Sequence, residues 1–417
     1  MAKTRREIIK AGVGATSAVI ASPFILNYAR GETPVKIGFV DPLTGIYAAL
    51  AANEVHGARQ AAEELNAKGG ILGRPVELLV EDSANVSGTG VDKALKLIDR
   101  DQVNFLLGDV NSAIASALSQ VAAQKRVLHI VPGGHTDPIT GKNCHWNVFR
   151  VCNTTRMETN ANAGILFNKY GKKWYMLVAD YAFGWTLRDG YQASLKQFGG
   201  TDAGVDLFPI DTSDFSSYLI KASAAKPDVL LLLMAGDNMT NCMKQIAQFG
   251  LHKQLKVAGA QQETEALKGL PPEARFGNWV FEWYWKQPGV PHVEEFVAAI
   301  RKRTGGNVPT ARTWFGYAAV HSFGLVANHE KSLDAEKLAR ALEGMELPPE
   351  VKLQPNKCYY RKGDHQLMTS AFVGEAVASA GPDPEDLFKV EQVIPGDTTA
   401  LSDSGPDGTG CKLDYPA

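Results

Sequence analysis

The chain has 417 residues, which is too many for a single compact core and suits two or three domains. Its 43 lysines and arginines nearly balance its 45 aspartates and glutamates. No block of like charge stands out, which argues against the clustered basic face of a nucleic-acid-binding protein. Apolar residues make up 45% of the chain, a proportion typical of a globular protein and not of a disordered one.

The first 33 residues are predicted to be an export signal that lies outside the fold. The paired Arg5 and Arg6, followed by Lys10, are typical of a twin-arginine signal. The apolar stretch 11–26 is too short and too rich in small residues for a membrane span, although an anchor or a buried helix is the alternative. We therefore expect a periplasmic protein, with cleavage between Ala21 and Thr33.

Beyond the signal, apolar strands alternate with helical patterns. Strands are predicted at 35–40, 76–80, 103–107 and 127–131, with helices at 54–68, 91–98 and 113–123. The pattern then restarts, with strands at 175–179, 229–233, 255–258 and 280–283 and helices at 185–198 and 238–249. This βαβ repetition predicts an α/β protein of two Rossmann-like lobes, each with a parallel sheet covered by helices.

Two further helices, 293–303 and 314–326, are predicted to return to the first unit. Three seams, at 149–152, 281–286 and 358–364, would then form a three-strand hinge between the units. We expect lobe 1 to contain 34–151 with 286–357, and lobe 2 to contain 152–285 with 358–417. The tail after Gly381 is rich in Pro, Gly, Asp and Ser and is predicted to be a loop unless Cys411 anchors it.

The five cysteines fit an oxidising compartment. We expect Cys358 to bond Cys411 and Cys144 to pair with Cys152, although four cysteines permit three pairings and the sequence does not choose among them. Cys242 lies on the apolar face of a predicted helix and is expected to be a buried free thiol.

Common enzyme motifs are missing from the sequence. There is no Gly-x-Gly-x-x-Gly after the first strand, no Gly-x-Ser-x-Gly, and no HExxH pair among the nine histidines. No pair of carboxylates stands beside a plausible nucleophile. These patterns predict a binding protein, not an enzyme, and neither a cofactor nor a metal ligand is expected. An exported α/β enzyme is the alternative of another class, and turnover of a candidate ligand would decide for it.

Polar loops follow the strands, at the edge where open α/β sheets bind ligands. In the first unit, Ser112 follows the third strand and either caps the next helix or holds an anion. Gly133 and Gly134 follow the fourth strand and permit either a close ligand approach or a tight turn. In the second unit the loops are 181–185, where aromatic residues form a wall or a staple, and 235–237 and 261–263, which are polar and solvated by default.

Two segments of the chain resemble the leucine/isoleucine/valine-binding protein family. They are Val35–Gly45 (VKIGFVDPLTG) and Glu64–Pro75 (ELNAKGGILGRP), and the acidic pair Glu81-Asp82 follows the next strand. The similarity covers nearly the whole mature chain and weakens after Lys352. It implies a type I periplasmic solute-binding protein of an ABC importer, whose two lobes close on a small ligand.

The same resemblance implies partners. They are a small-molecule ligand, which is a carboxylate or an amino acid, and an ABC permease in the inner membrane. We expect a monomer that does not bind nucleic acid. A periplasmic ligand sensor of the same fold is an alternative role.

The resemblance also implies ligand-binding positions in the first unit. The family's ligand-contacting serine corresponds to Ser112, beside Asn111. The loop that binds the ligand carboxylate corresponds to Gly133 and Gly134, and its hydroxyl donor falls at His135. The disulfide of the family is not matched here.

The remaining positions are partly altered. Phe183, next to Tyr181, corresponds to the family's loop aromatic. Leu50 and Ala235 stand at or near positions where the family has tyrosines. Gln261 stands where the family has the acid that pairs with the ammonium group of an amino acid.

A ligand hypothesis follows from these departures. With neutral Gln261 in place of an acid, an unpaired buried ammonium would cost on the order of several kcal/mol. We therefore expect a carboxylate without an amino group, such as a benzoate or cinnamate derivative, packed against Leu50 and Phe183. Asp237 or Glu263 could supply the missing charge, which leaves a branched-chain or other amino acid as the alternative and an amide or urea as the third.

Overall fold

The computed structural model describes residues 33–402 and 408–416. Two β-sheets organise this part of the chain. The first contains the strands β1 (Val35–Asp41), β2 (Val76–Asp82), β3 (Phe105–Leu107), β4 (Leu128–Val131) and β5 (Val148–Arg150). Their order is β2-β1-β3-β4-β5, and every neighbouring pair is parallel.

The second sheet and a short ribbon contain the later strands. These are β6 (Lys173–Ala179), β7 (Thr201–Phe208), β8 (Val229–Leu233), β9 (Lys256–Ala258), β10 (Asn278–Phe281), β11 (Tyr359–Tyr360), β12 (Leu367–Met368), β13 (Ala371–Ala376) and β14 (Phe388–Ile394). The sheet order is β14-β13-β10-β9-β8-β6-β7; β13 and β14 are antiparallel additions, and β11 pairs with β12 alone. The predicted α/β class with parallel sheets is confirmed.

The helices lie between these strands in sequence. They are α1 (Ala48–Ala67), α2 (Ser87–Leu95), α3 (Ser112–Lys125), α4 (Thr155–Lys169), α5 (Ala182–Phe198), α6 (Ser216–Ala224), α7 (Gly236–Gln248), α8 (Thr264–Lys268), α9 (Val293–Thr304), α10 (Ala311–Glu330), α11 (Ala335–Leu342), α12 (Pro349–Lys352) and α13 (Gly396–Thr399). Among the described residues, none of the helices combines the length and the apolar character needed to cross a membrane.

Strand β8 shows why the central strands read as unbroken apolar runs. Leu230 and Leu232 belong to one hydrophobic cluster, whereas Val229, Leu231 and Leu233 belong to another on the opposite face of the sheet. Alternate residues of a strand point to opposite faces, so burial of both faces requires apolar residues at every position.

Helices α1 and α10 pack closely enough to place two charged side chains side by side. A Cβ atom on Gly57 would lie 1.7 Å from the carbonyl oxygen of Thr313, and one on Gly316 would lie 2.0 Å from that of Glu54. Only glycine permits this approach. The contact brings Glu54 of α1 against Arg312 in the first turn of α10.

The later helix α10 packs against the first sheet. Phe323 of α10 stacks on Phe105 of β3 with ring centroids 4.4 Å apart. Phe149 of the first predicted seam packs edge-on against Tyr360 of the third, with ring centroids 5.4 Å apart. One division of the chain stays a prediction, namely lobe 1 as 34–151 with 286–357 and lobe 2 as 152–285 with 358–417. The predicted export signal lies outside the described residues, except for Thr33.

The predicted cysteine pairing is wrong. Cys144 bonds Cys411, with Cα atoms 5.6 Å apart, and Cys152 and Cys358 are buried free thiols. The physical reason is burial: Cys152 and Cys358 are 0% exposed within the hydrophobic core around the first sheet, whereas Cys144 precedes Trp146, whose backbone N–H binds Asp414 of the tail. Cys242 is free and buried, and that prediction is confirmed.

The tail is more ordered than the predicted loop. Strand β14 pairs with β13 and places the segment after Gly381 on the edge of the second sheet. The last described residues are held against the segment after α3 and β4, since Asp414 accepts hydrogen bonds from the backbone N–H of Trp146 at 2.9 Å and contacts His145 at 3.0 Å.

Candidate ligand-binding site

The loops after β3 and β4 are tied together at the carboxyl edge of the first sheet. Asn111, not Ser112, caps α3, since its Oδ1 accepts from the backbone N–H groups of Ala113 and Ile114. Ser112 instead turns its buried hydroxyl toward the next loop, where its Oγ accepts from the backbone N–H of His135 at 3.1 Å and of Thr136 at 3.2 Å. The Ser112 hydroxyl therefore fixes the backbone of the loop that begins with Gly133 and Gly134.

A buried guanidinium joins the two halves of the molecule. Arg312 Nη1 donates to Glu54 Oε1 at 3.0 Å and to the carbonyl of Gly133 at 3.1 Å, and its Nε donates to Glu263 Oε1 at 2.6 Å. Burial alone would lower the pKa of Arg312, but the carboxylates of Glu263 and Glu54 raise it above its usual value. Burial and the nearby Asp41 raise the pKa of Glu54, and Arg312 opposes them.

A second buried polar cluster lies around His135. Its Nε2 contacts Glu282 Oε1, and the other oxygen of Glu282 accepts from the backbone N–H of Asn153. Gln261 Nε2 lies 3.0 Å from His135 Nε2 and donates to Glu282 Oε1 at 3.4 Å. The cluster draws on the β4 loop, the β9 loop and the segment after β10, so it also bridges the two sheets.

Two adjoining cavities lie between these clusters. One, of about 10 Å³, is lined by Tyr47, Val110, His135, Tyr181, Phe183, Ala235, Gln261 and Arg312. The other, too small to admit a water molecule, is lined by Met234, Ala235, Gly236, Met239, Gln261, Gln262, Glu263 and Ala266. They share Ala235 and Gln261, and their small size shows that the cleft between the sheets is closed.

Aromatic side chains from both halves meet across the first cavity. The hydroxyl of Tyr47 donates to that of Tyr181 at 2.7 Å. Phe183 packs next to Tyr181 and edge-on to His135, with ring centroids 6.0 and 5.8 Å away. Burial raises the pKa of both tyrosines, so both hydroxyls are neutral hydrogen-bonding groups.

Five of the eleven predicted positions line the cavities: His135, Tyr181, Phe183, Ala235 and Gln261. The others lie outside the lining. The carbonyl of Gly133 accepts from Arg312, which does line the cavity. Ser112 and Gly134 support the loop that contains Gly133. Asn111 caps α3, and Leu50 is buried in the neighbouring core. Asp237 is exposed on the first turn of α7, and its carboxylate does not line either cavity.

Sequence reasoning missed three charged residues of the site, Glu54, Arg312 and Glu282. It named a fourth, Glu263, only as an alternative source of the missing charge. A signal for the first was present, because Glu54 continues the buried 58, 61, 65 face of α1. Arg312 is likewise a lone cation at the start of an almost wholly buried helix. Such charges are buried only when paired, so each points to a partner.

Comparison with known proteins identifies a family profile and relatives that resemble this chain. A sequence profile described as periplasmic binding protein matches residues 34–382. Leu/Ile/Val-binding protein homolog 1 of Brucella abortus is 27% identical over 80% of this chain and 88% of its own length. Leu/Ile/Val-binding protein BraC3 of Rhizobium johnstonii is 32% identical over 52% of this chain, which spans 58% of that relative.

A solved structure supports the same assignment. An amino acid ABC transporter substrate-binding protein from Pseudomonas fluorescens Pf-5 superposes with a TM-score of 0.80 at 25% identity, over 92% of this chain and 100% of that chain. The profile match covers well over half of the sequence, and the two-lobed α/β architecture agrees with it. The chain therefore belongs to the periplasmic binding protein family.

Proposed function

We propose that this chain is the substrate-binding component of an ABC importer and that its solute is an α-amino acid with an apolar side chain. The observation that carries the proposal is the lining of the closed cleft, which offers a buried guanidinium, a buried carboxylate and an apolar wall together. A zwitterion with a hydrophobic side chain complements all three.

The ammonium group is assigned to Glu263. This side chain is 5% exposed and its Oε2 has no hydrogen-bond partner among the described residues. Gln261 Oε1, in the same cavity, also lacks a partner there. A donor-rich cationic group would satisfy both acceptors, and charge-assisted hydrogen bonds are the strong ones. Glu263 thus provides the charge that neutral Gln261 lacks.

The carboxylate is assigned to Arg312. Its Nη2 carries two N–H groups but, within the described part of the chain, contacts only Glu263 Oε1, which leaves one N–H for a ligand. The guanidinium lines the first cavity, beside the hydroxyls of Tyr47 and Tyr181. A charged N–H donor forms a stronger hydrogen bond to a carboxylate than a neutral donor does.

The apolar part of the solute is assigned to the remaining walls. Phe183 and the two tyrosine rings line the first cavity, and Met234 and Met239 line the second. Methionine adapts to irregular apolar shapes, so the second cavity suits an aliphatic side chain. The names of the relatives from Brucella and Rhizobium, which refer to leucine, isoleucine and valine, support this assignment.

An aromatic carboxylate, which the sequence hypothesis placed first, is the second candidate. The rings of Tyr47, Tyr181 and Phe183 around one guanidinium favour it, because they could sandwich a flat acid. It ranks second because Glu263 would then stay without a cation at its free oxygen.

A titration separates the two candidates. Protein freed of ligand by unfolding and refolding is titrated by calorimetry with leucine, benzoate and cinnamate. We expect one equivalent of leucine to bind and the two acids to give no heat. Glu263→Gln should weaken leucine binding by about 2–5 kcal/mol, the usual loss when one partner of a buried charged pair is removed.

The matched control is Asp237→Asn, which removes a neighbouring but exposed carboxylate and should leave the affinity unchanged. Tight benzoate or cinnamate binding without heat from leucine would instead establish the second candidate. Leucine binding that is equally strong in Glu263→Gln would reject the ammonium assignment.

We further propose that the chain acts in the periplasm, is exported through a twin-arginine signal within residues 1–33, and docks as a closed monomer on a membrane permease. The family supports the compartment, and Arg5-Arg6 with Lys10 supports the export route. N-terminal sequencing of the exported protein would test the signal, since a start before residue 22 or after residue 34 contradicts the proposed cleavage.

A further inference from the structure

Three buried side chains of metal-ligand type converge behind the solute cavities. They are His135 in the loop after β4, Glu158 in the first turn of α4, and Glu282 just after β10, and their nearest ligand atoms all lie within 4.8 Å of one another. Each is at most 2% exposed. The sequence gives no hint of the group, because the three residues are far apart along the chain.

Glu158 is the member that calls for a ligand. It is 0% exposed, and neither of its carboxylate oxygens has a hydrogen-bond partner among the described residues. Burial, and then the Glu282 carboxylate, raise the pKa of Glu158. A proton alone does not resolve the problem, because the O–H of the neutral acid would also be buried without an acceptor.

We propose that His135, Glu158 and Glu282 bind a divalent first-row transition metal ion, for which Zn²⁺ is the representative. His135 would coordinate through Nε2 and Glu282 through Oε1, because its Oε2 is already held by the backbone N–H of Asn153. The ion balances the two carboxylates and satisfies the orphaned oxygens of Glu158.

Gln261 completes the arrangement. Its Nε2 lies next to both His135 and Glu282, and its Oε1 has no partner among the described residues. A half-turn of the amide would exchange the two atoms and present Oε1 as a fourth ligand. One imidazole with oxygen ligands suits Zn²⁺ and its neighbours in the first row, whose ligand atoms lie about 2.0–2.2 Å from the ion.

The metal site and the solute assignment are separable. The solute is assigned to Arg312 and Glu263, whereas the ion uses His135, Glu158 and Glu282. Gln261 Oε1 can serve only one of the two, and when it binds the ion, Glu263 alone accepts from the ammonium group. His135 and Gln261 line the first cavity, so the ion would lie in its wall. Solute titrations in the presence of a strong chelator therefore test the solute proposal alone, and metal titrations without solute test the metal site alone.

The test is a metal titration of the purified untagged protein. After chelator treatment and its removal, Zn²⁺ affinity is measured by competition with a chromophoric chelator, and Co²⁺ is used as a spectroscopic substitute. We expect one equivalent of Zn²⁺ with micromolar or tighter affinity, and Co²⁺ visible bands without the thiolate charge-transfer absorption that a cysteine ligand gives. Glu158→Gln should weaken Zn²⁺ binding at least ~100-fold.

The matched control is His321→Gln. His321 contacts Glu64 at 3.1 Å in a histidine–carboxylate pair that has no third ligand around it among the described residues, so its loss should leave Zn²⁺ affinity unchanged. If Glu158→Gln does not fold, Glu282→Gln and the wild-type Co²⁺ spectrum take its place. No stoichiometric binding, a thiolate spectrum, or unchanged affinity in a folded Glu158→Gln would each overturn the proposal.

Discussion

At the scale of single residues, the site depends on the missing side chain at Gly133. A Cβ atom there would lie 2.1 Å from Glu54 Oε1 and 2.4 Å from Arg312 Nη1. Gly133→Ala should therefore push the buried ion pair apart. We expect the free energy of unfolding to fall by about 3–5 kcal/mol, the usual cost of breaking a buried pair, as measured by urea denaturation.

Gly88→Ala is the matched control for that change. Gly88 is exposed in α2, and an added Cβ would meet nothing within 4 Å. Alanine is the better helix former, so this substitution should raise the free energy of unfolding by about 0.5–1 kcal/mol. A loss in Gly133→Ala no larger than 0.5 kcal/mol, roughly the noise of surface substitutions, would contradict the role given to the glycine.

Single positions also show where sequence reasoning stopped. The loops that carry His135, Phe183 and Gln261 were predicted because they follow apolar strands, and the structure brings all three to one cavity. The ligand hypothesis, however, took Gln261 as the ammonium position and named Asp237 and Glu263 only as alternatives. Glu282 Oε1 lies 3.4 Å from Gln261 Nε2, and Glu263 lies two residues further along the chain. The proximity of these side chains depends on tertiary packing, which residue spacing does not encode.

At the scale of elements, the apolar pattern of the sequence predicted the well-buried strands and helices accurately and predicted the other elements poorly. Strands β1 and β8 were predicted within one residue of their ends. Helix α4 was not predicted, because its buried residues include Thr155, Glu158 and Asn162, which carry no apolar stripe. Strand β14 was missed because its residues are mostly partly exposed or exposed and its segment is rich in turn-forming residues.

The cysteine pairing is the clearest error at this scale, and it makes a prediction. The Cys144–Cys411 bond closes a sequence separation of 267 residues and fixes the tail beside Trp146. Reduction should lower the free energy of unfolding by about 2–5 kcal/mol. The double variant Cys144→Ser/Cys411→Ser should show the same loss and no further response to reductant, both measured by urea denaturation.

Non-reducing peptide mapping provides the direct control. It should recover one linked peptide pair containing Cys144 and Cys411, with the other three cysteines open to alkylation after unfolding. A linked pair containing Cys358 and Cys411 would restore the pairing that the sequence suggested and contradict the tail position described above.

At the scale of the whole molecule, further polar contacts join the two halves across the cleft, in addition to those of Arg312 and His135. Tyr47 bonds Tyr181, the backbone N–H of Asp237 donates to the carbonyl of Ile46 at 3.2 Å, and Asn53 of α1 donates to Glu265 of α8 at 2.9 Å. These contacts would break if the lobes moved apart on a hinge, as the family fold implies. Closure is therefore sensitive to the protonation of side chains that make contacts across the cleft.

Glu265 makes that sensitivity testable. Burial, and then the Glu263 carboxylate, raise the pKa of Glu265 from 4.5 to about 7 in the closed form. Opening would hydrate the side chain and return its pKa toward the ordinary value, so the closed form binds the proton more tightly. The contribution to closure is then complete below about pH 4.5 and is lost as the pH rises through about 7.

We therefore expect the ligand-free protein to be more open at pH 8 than at pH 5, which small-angle X-ray scattering measures as a larger radius of gyration. Glu265→Gln keeps an acceptor for Asn53 but cannot titrate, so its change in radius between the two pH values should be smaller than that of the wild type. Some dependence should remain, because burial also raises the pKa of Glu54 and Glu158. Glu294→Gln, an exposed change of the same kind on α9, should behave as the wild type does. Equal pH dependence in Glu265→Gln and the wild type would show that this carboxylate does not control closure.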